Sequence, residues 1–413
     1  MIDLSEAPVV DFHAHMPVPI GIGELIRRDI TAQMNLFHGK PTSSYRWDDL
    51  DALPDLTVAR QQWAHPLNSQ YRMLIRYVAD VLGCATDIDD VDARLLALVG
   101  GDFESYLASV LDRERIELVV LDLLGELRDG AAGFPDHRYV WIYGITPLLS
   151  PLAAIEAGAH SFDEAIAHVD SRIDLAVAQG CVGFKNLMGY YRSLEVVPRT
   201  AVEARNAFEA ITKAEPAEVV SSFLFGRRAV YGNAADEAHR AYEDFVIHHI
   251  VDLAGELGMV QLIHTGSQYS PNQNLLAANP ALLFPLLSHP NSTRTTFVLL
   301  HAGAPFHENA AYVAWQFPNV FVDISHTMRT PGRLGGILHT MLSIAPVHKL
   351  LYGSDSYACA EWLGYSAHQT RKVLEGVLAD LSGPLDWSLD EAEQVGRLVL
   401  GGNARTLLSS QDR

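Results

Sequence analysis

Six positions in this chain carry side chains that could share one piece of chemistry. His13 and His15 stand two apart in "VVDFHAHMP". Lys185 lies in "CVGFKNLMGY", His264 in "MVQLIHTG", His301 in "TTFVLLHAG" and Asp355 in "LLYGSDS". Each follows an apolar run and stands close to small residues. Neutral imidazole nitrogens and a carboxylate oxygen are the ligand set of zinc or another borderline divalent cation. Such a cation lowers the pKa of a water it holds towards about 7. A lone His-x-His would be weak evidence. Side chains alternate along a strand, so Asp11, His13 and His15 are expected on one face, and two imidazoles there can simply be hydrogen-bonded core residues. Independent structural histidines, though, would not all fall at one level of the fold.

The elements that must bring these residues together are short apolar runs separated by helical stretches. Eight runs read as strands: 9–15, 116–124, 139–149, 181–190, 259–266, 295–303, 320–325 and 350–356. Between them, "SFDEAIAHVDSRIDLAVAQG" offers Ser161 as an N-cap and Gly180 as a stop. Residues 235–258 carry apolar positions at helical spacing and end at Gly258. Eight strands alternating with helices predict a parallel (β/α)8 TIM barrel of class α/β over residues 1–413, one domain. Residues 16–115 form a large helical insertion after strand 1, and 191–235 another after strand 4. Segments that follow the strands lie on the catalytic face of such barrels, so both insertions could roof a site. Trp47 and Trp63 could line it, or pack a small core of their own. Asp11 is a candidate to orient an imidazole, with a plain buried hydrogen bond as the alternative.

Other polar residues carry less. His248 and His249 fall inside a helix, away from the strand ends. His326, after strand 7, is nearer the mouth and is a secondary substrate-binding candidate. His307 and Glu308 could belong to a lid. Gly21 and Gly23 do not make a phosphate loop.

Bulk properties narrow the class of partner. The chain has 413 residues, 48% of them hydrophobic, enough for a sizeable core. Thirty basic against fifty acidic residues give a net charge of −20, which argues against nucleic acid or an anionic membrane as the main partner. A small-molecule substrate is expected, with a homo-oligomer compatible. Cys84, Cys181 and Cys359 are too few and scattered for a disulfide framework. No signal peptide or apolar run of roughly 20 residues is visible, so a cytoplasmic protein is expected.

The ordered set of HxH, Lys, His, His and Asp resembles the amidohydrolase superfamily. "GFKNLMGYYRSL", "QLIHTG", "LLHAGAPFHENAAYVAWQFPNVFVDIS", "LLYGSDS" and "LGGNARTLL" are most similar to its amidohydrolase-related branch, which includes the N-terminal domain of FluG-type proteins. The resemblance runs from residue 9 to 408 and is weakest in the two insertions. It implies that His13, His15 and Asp355 bind one metal, Zn2+ first and Mn2+ or another divalent ion second. His264 would complete that site or hold a second ion, and His301 would bind a second ion or polarise the substrate. Asp355 would also move the water's proton. Lys185 would be either a carboxylated bridge between two ions or a plain cation for a substrate oxygen, and Arg192 a clamp for a substrate carboxylate. The implied reaction is hydrolysis of a C–N amide bond in a small carboxylated substrate, γ-glutamyl amides included. Decarboxylation or isomerisation on the same site is the alternative, and a non-catalytic binding barrel a third reading.

Overall fold

The computed structural model describes residues 2–26, 28, 69–216, 218–222, 226–230, 234–268, 274–357 and 359–409. Trp47, Trp63 and much of the expected first insertion lie outside these residues.

Eight parallel strands run in the order β1 (Val9–His15), β2 (Ile116–Asp122), β3 (Tyr139–Gly144), β4 (Gly183–Asn186), β7 (Val260–Ile263), β8 (Thr296–Leu299), β9 (Val320–Asp323) and β10 (Leu350–Leu351). The remaining pair, β5 (Glu218–Ser222) and β6 (Gly226–Val230), is an antiparallel ribbon between β4 and β7. The chain past β10 closes the ring. Phe12 N donates to Tyr352 O at 2.9 Å, and Asp355 N donates to His13 O at 2.8 Å.

The strands are shorter than the apolar runs suggest. β10 has two residues rather than seven, because Tyr352 N turns away to donate to Val399 O. β3 stops at Gly144, and Thr146–Leu149 is a 3-10 turn. Consequently His264, His301 and Asp355 stand just beyond their strands.

The helices follow the expected signals. In Phe162–Ala178, Ser161 Oγ accepts from Glu164 N and Gly180 adopts φ +84° just beyond the end. Ala234–Leu257 covers the segment before β7. Helices Ser69–Leu82, Ile88–Val99 and Phe103–Arg113 separate β1 from β2. Ala201–Thr212, opened by a Thr200/Glu203 capping box, follows β4.

Two apolar layers result. Val10, Phe12, Val120, Ile142, Leu262, Val298 and Leu351 form the inner cluster, with Ala404 and Leu407 packed against it. Val119, Leu121, Phe184, Leu299 and Val322 face the helices instead. Strict alternation would put His13 on the opposite side from Phe12. A register shift between Asp11 and Ala14 resets the parity, so that Phe12 and His13 together oppose one residue of β2. Of its two alternatives, Asp11 makes the plain buried hydrogen bond. Its parity is opposite to Val10 and Phe12, and its Oδ1 accepts from the backbone N–H of His13 (3.3 Å) and Ser354 (2.8 Å), not from an imidazole.

Candidate metal centre

The carboxyl ends of the strands bring five of the six predicted positions, Lys185 included, together with the secondary candidate His326. On β1, His13 Nε2 lies 3.2 Å from Asp355 Oδ1 and 3.1 Å from Lys185 Nζ, and His15 Nε2 lies 3.5 Å from the same Asp355 oxygen. The second Asp355 oxygen sits 2.7 Å from His326 Nδ1. The rings of His13 and His301 are 5.5 Å apart. The sixth position, His264, joins through His301. Its Nδ1 is 2.9 Å from His301 Nε2, and Tyr190 stacks on its ring with centroids 4.0 Å apart.

Several of these residues hold uncommon backbone. His301, Ala302, His326 and Asp355 have φ of 65°, 52°, 62° and 51°. Left-handed backbone is unusual outside glycine, and its clustering at one rim marks a place where geometry is set against local preference.

Hydrogen-bond partners fix which imidazole nitrogens carry protons. Ser267 O, 2.8 Å from His264 Nε2, can only accept, so that nitrogen bears the hydrogen and Nδ1 presents a lone pair. Asp122 O, 3.1 Å from His15 Nδ1, fixes a hydrogen on that nitrogen in the same way. Ser325 Oγ gives its one proton to Asp323 Oδ1 at 2.8 Å, so it accepts from His301 Nδ1 at 2.8 Å. His301 Nε2 is therefore also a lone pair.

Electrostatics keep the rings of His13, His264 and His301 neutral but favour the charged form of His15. Burial, then the Lys185 charge, holds His264 well below its ordinary value. Burial holds His301 there too. Burial and the Lys185 charge bring His13 down to about 4. For His15 burial pulls down, but the Asp122 and Asp355 carboxylates outweigh it and raise the ring. Burial pushes the Asp355 carboxyl up, yet His301, His13, His15 and His326 together hold it well below the usual carboxylate range. Burial lowers Lys185.

Two carboxylates belong to the site that the sequence reading passed over. Asp122 ends β2; its Oδ2 has no hydrogen-bond partner and lies 3.8 Å from His15 Nδ1 and 4.0 Å from Lys185 Nζ. Asp323 ends β9, and burial pushes it up to about 7. Among the described residues, His13, His15 and Asp122, and likewise His13, His301 and Asp355, each bring one ligand atom apiece within 4.8 Å of one another.

These residues fit a divalent cation. Two neutral imidazoles pointing lone pairs at each other across 2.9 Å repel unless positive charge lies between or beside them. A cation resolves this, and it needs no proton displaced from the His264 and His301 rings, which are already neutral.

Arg192, the expected substrate clamp, is engaged by protein groups. Its guanidinium is buried, donating to Glu243 Oε2 (3.2 Å), Asp244 Oδ1 (2.5 Å), Glu195 O (3.0 Å) and Ser193 O (3.3 Å). With its donors committed to the protein, it ties the turn after β4 to the helix Ala234–Leu257. Other doubtful histidines fall where expected: His249 pairs with Asp170, and His248 packs its ring edge on His289.

The parallel eight-stranded barrel, with imidazoles and a carboxylate at its carboxyl ends, is similar to known proteins of the amidohydrolase type. Residues 207–409 match the family model described as Amidohydrolase. FluG from Emericella nidulans is 25% identical over 382 residues, which are 89% of this chain and 39% of FluG. The chain thus spans about two-fifths of the length of that curated relative. Among solved structures, one assigned as a metal-dependent hydrolase from Lactobacillus casei ATCC 334 superposes with a TM-score of 0.73 at 18% identity, covering 100% of this chain and 99% of that one. Uronate isomerase from Thermotoga maritima superposes with 0.68 at 12% identity, covering 98% and 95%. Glucuronate isomerase from Caulobacter crescentus gives 0.67 at 15%, covering 98% and 92%. At such identities these structures establish the fold.

Proposed function

We propose that this protein is a metal-dependent hydrolase cleaving the C–N bond of a small carboxylated amide, γ-glutamyl amides being the class to test first. The carrying observation is the convergence of imidazole nitrogens from His15, His264 and His301 beside the Asp355 carboxylate. The substrate class is the one that the resemblance to FluG-type proteins implies. The mixed nitrogen and oxygen set favours Zn2+, with Mn2+ the next candidate. His13, His15, His264, His301 and Asp355 would hold the ion or ions, with Asp122 within reach. When bound, the cation supplies Lewis acidity and lowers the pKa of water towards about 7.

The chain's own groups then have defined tasks. Asp355 accepts the proton of the attacking water, which adds to the carbonyl carbon. The C–N bond breaks, and Asp355 returns the proton to the leaving nitrogen. His326 Nδ1–H holds the second carboxylate oxygen and so orients the base. Lys185, buried among Asp122, His13 and Asp355, is the cation placed to meet a substrate oxygen. The strongly acidic surface is consistent with a small-molecule substrate rather than nucleic acid. Among the described residues, no helix is long and apolar enough to cross a membrane.

The test is product analysis. Chelator-treated protein, reloaded with Zn2+ or Mn2+, is given γ-glutamyl amides and N-acyl amino acids while amine release is followed. Metal-dependent amine release is expected. Carbon dioxide release or aldose–ketose interconversion from acid substrates, without amide cleavage, would replace hydrolysis by the lyase or isomerase reading.

A further inference from the structure

We propose that Ser325 is a positioning residue that sets the tautomer of His301 and thereby tunes metal affinity. The inference rests on the metal-dependent reading of the site.

The geometry is a relay of three buried residues on adjacent strands. Asp323, at the end of β9, reaches across to the residue that follows β8. Its Oδ1 accepts from His301 N at 2.7 Å, from Ser325 N at 3.2 Å and from Ser325 Oγ at 2.8 Å. The two backbone N–H groups can only donate, so this oxygen remains an acceptor. A serine hydroxyl has one hydrogen. Committed to Asp323, it cannot also be given to His301. The 2.8 Å contact between Ser325 Oγ and His301 Nδ1 must then run the other way, with the ring donating.

Two consequences follow. The neutral ring carries its hydrogen on Nδ1, leaving Nε2 free of hydrogen where it faces His264. The same carboxylate oxygen also steadies the left-handed backbone of His301, φ 65°, by accepting its N–H. One aspartate thus fixes both where the ring stands and, through Ser325, which nitrogen is open. The fit leaves little slack. A Cβ on Gly353 would fall 2.8 Å from Asp323 Oδ2 and 2.9 Å from Ser325 Cβ. Outer hydrogen bonds of this kind raise ligand basicity and hold ring orientation, and their loss typically costs about 10–100-fold in metal affinity.

The experiment compares the full-length wild type, Ser325→Ala and Ser325→Thr. Zn2+ affinity is measured by competition with a chromophoric chelator. The His301 tautomer is read in metal-free protein from the 15N shifts of its ring, assigned by their loss in His301→Gln. The thermal midpoint of each metal-free protein is the control. Wild type should show one tautomer, hydrogen on Nδ1. Ser325→Ala should show a mixture and bind Zn2+ about 10–100-fold more weakly, with an unchanged metal-free midpoint. Ser325→Thr, which keeps the hydroxyl, should retain both tautomer and affinity. Unchanged tautomer and affinity in Ser325→Ala, or a threonine variant that behaves like alanine, would overturn the proposal while leaving the metal reading intact. A metal-free midpoint that falls along with affinity would assign Ser325 to packing alone. Wild-type protein that binds no Zn2+ would overturn the metal reading itself.

Discussion

His264 and His301 face each other nitrogen to nitrogen, Nδ1 to Nε2, at 2.9 Å, and neither nitrogen has a hydrogen to offer. The carbonyl of Ser267 and the hydroxyl of Ser325 claim the protons on the far sides of the two rings. A cation beside the pair relieves this repulsion, and it would tie two strands, β7 and β8, to one ligand.

Removing either imidazole should therefore empty the site. His264→Ala or His301→Ala is expected to lose bound metal and turnover together, by more than the roughly 10–100-fold that an outer hydrogen bond is worth. Elemental analysis after dialysis against a weak chelator checks this. Full metal content in both variants would mean that the lone pairs serve something else.

Asp355→Asn keeps the shape of the side chain and one acceptor oxygen but removes the base. The imidazoles of His13, His15, His264 and His301 remain, so metal content should fall modestly. Turnover should fall by about 10²–10⁴, the usual worth of a positioned acid–base group. His326→Gln, which removes the ring N–H from the second oxygen, should lower kcat less and leave KM close to wild type. Steady-state kinetics at full metal loading separate the two. Near-native kcat in Asp355→Asn would reduce Asp355 to a structural carboxylate.

Arg192 supplies the contrast. With its guanidinium between Glu243 and Asp244, Arg192→Ala removes a buried cation from two buried carboxylates, while Asp244 keeps Arg199 at 3.4 Å and Glu243 keeps His239 at 3.9 Å. Breaking such a pair typically costs about 3–5 kcal/mol. The urea midpoint should drop sharply, while the folded fraction keeps its KM. A selective rise in KM with unchanged stability would restore the substrate-clamp reading.

The residues of the site were legible because a polar residue ending an apolar run is conspicuous. His13, His15, His264, His301 and Asp355 all stand so, and all meet at one rim. Asp122 and Asp323 obey the same signal. The apolar runs "IELVVLDLL" and "VFVDIS" continue past them, so composition hides that the strands end at these two carboxylates. Strand ends depend on where the backbone finds its next partner, and Tyr352 finds Val399, far along the chain. The face of Asp11 was misread for a related reason: a one-residue register shift changes parity without changing composition. Arg192 looked available because its acidic partners lie some fifty positions away, on a helix whose packing no local pattern reveals. The β5–β6 ribbon, in the insertion after β4, carried no alternating apolar signature strong enough to be read.

The last prediction concerns acid stability away from the metal. His248 is half-buried on the helix Ala234–Leu257, and burial, then the neighbouring His289, brings it down from 6.5 to about 4. In the unfolded chain the same ring takes a proton near 6.5, so between those values the unfolded state binds more protons. The contribution of His248 is thus fully present above about 6.5 and is lost as pH falls towards 4. Asp11 and Asp323, both pushed up to about 7 by burial, work in the opposite direction in metal-free protein, gaining stability as pH falls below 7. The total pH profile therefore mixes signs, and a difference measurement isolates the histidine. Urea midpoints of metal-free wild type and His248→Phe, taken from pH 7 to pH 4, should diverge. The wild type should lose stability relative to the variant on acidification, because phenylalanine has no proton to refuse. Parallel profiles would show that His248 is solvated enough to titrate normally in the folded protein.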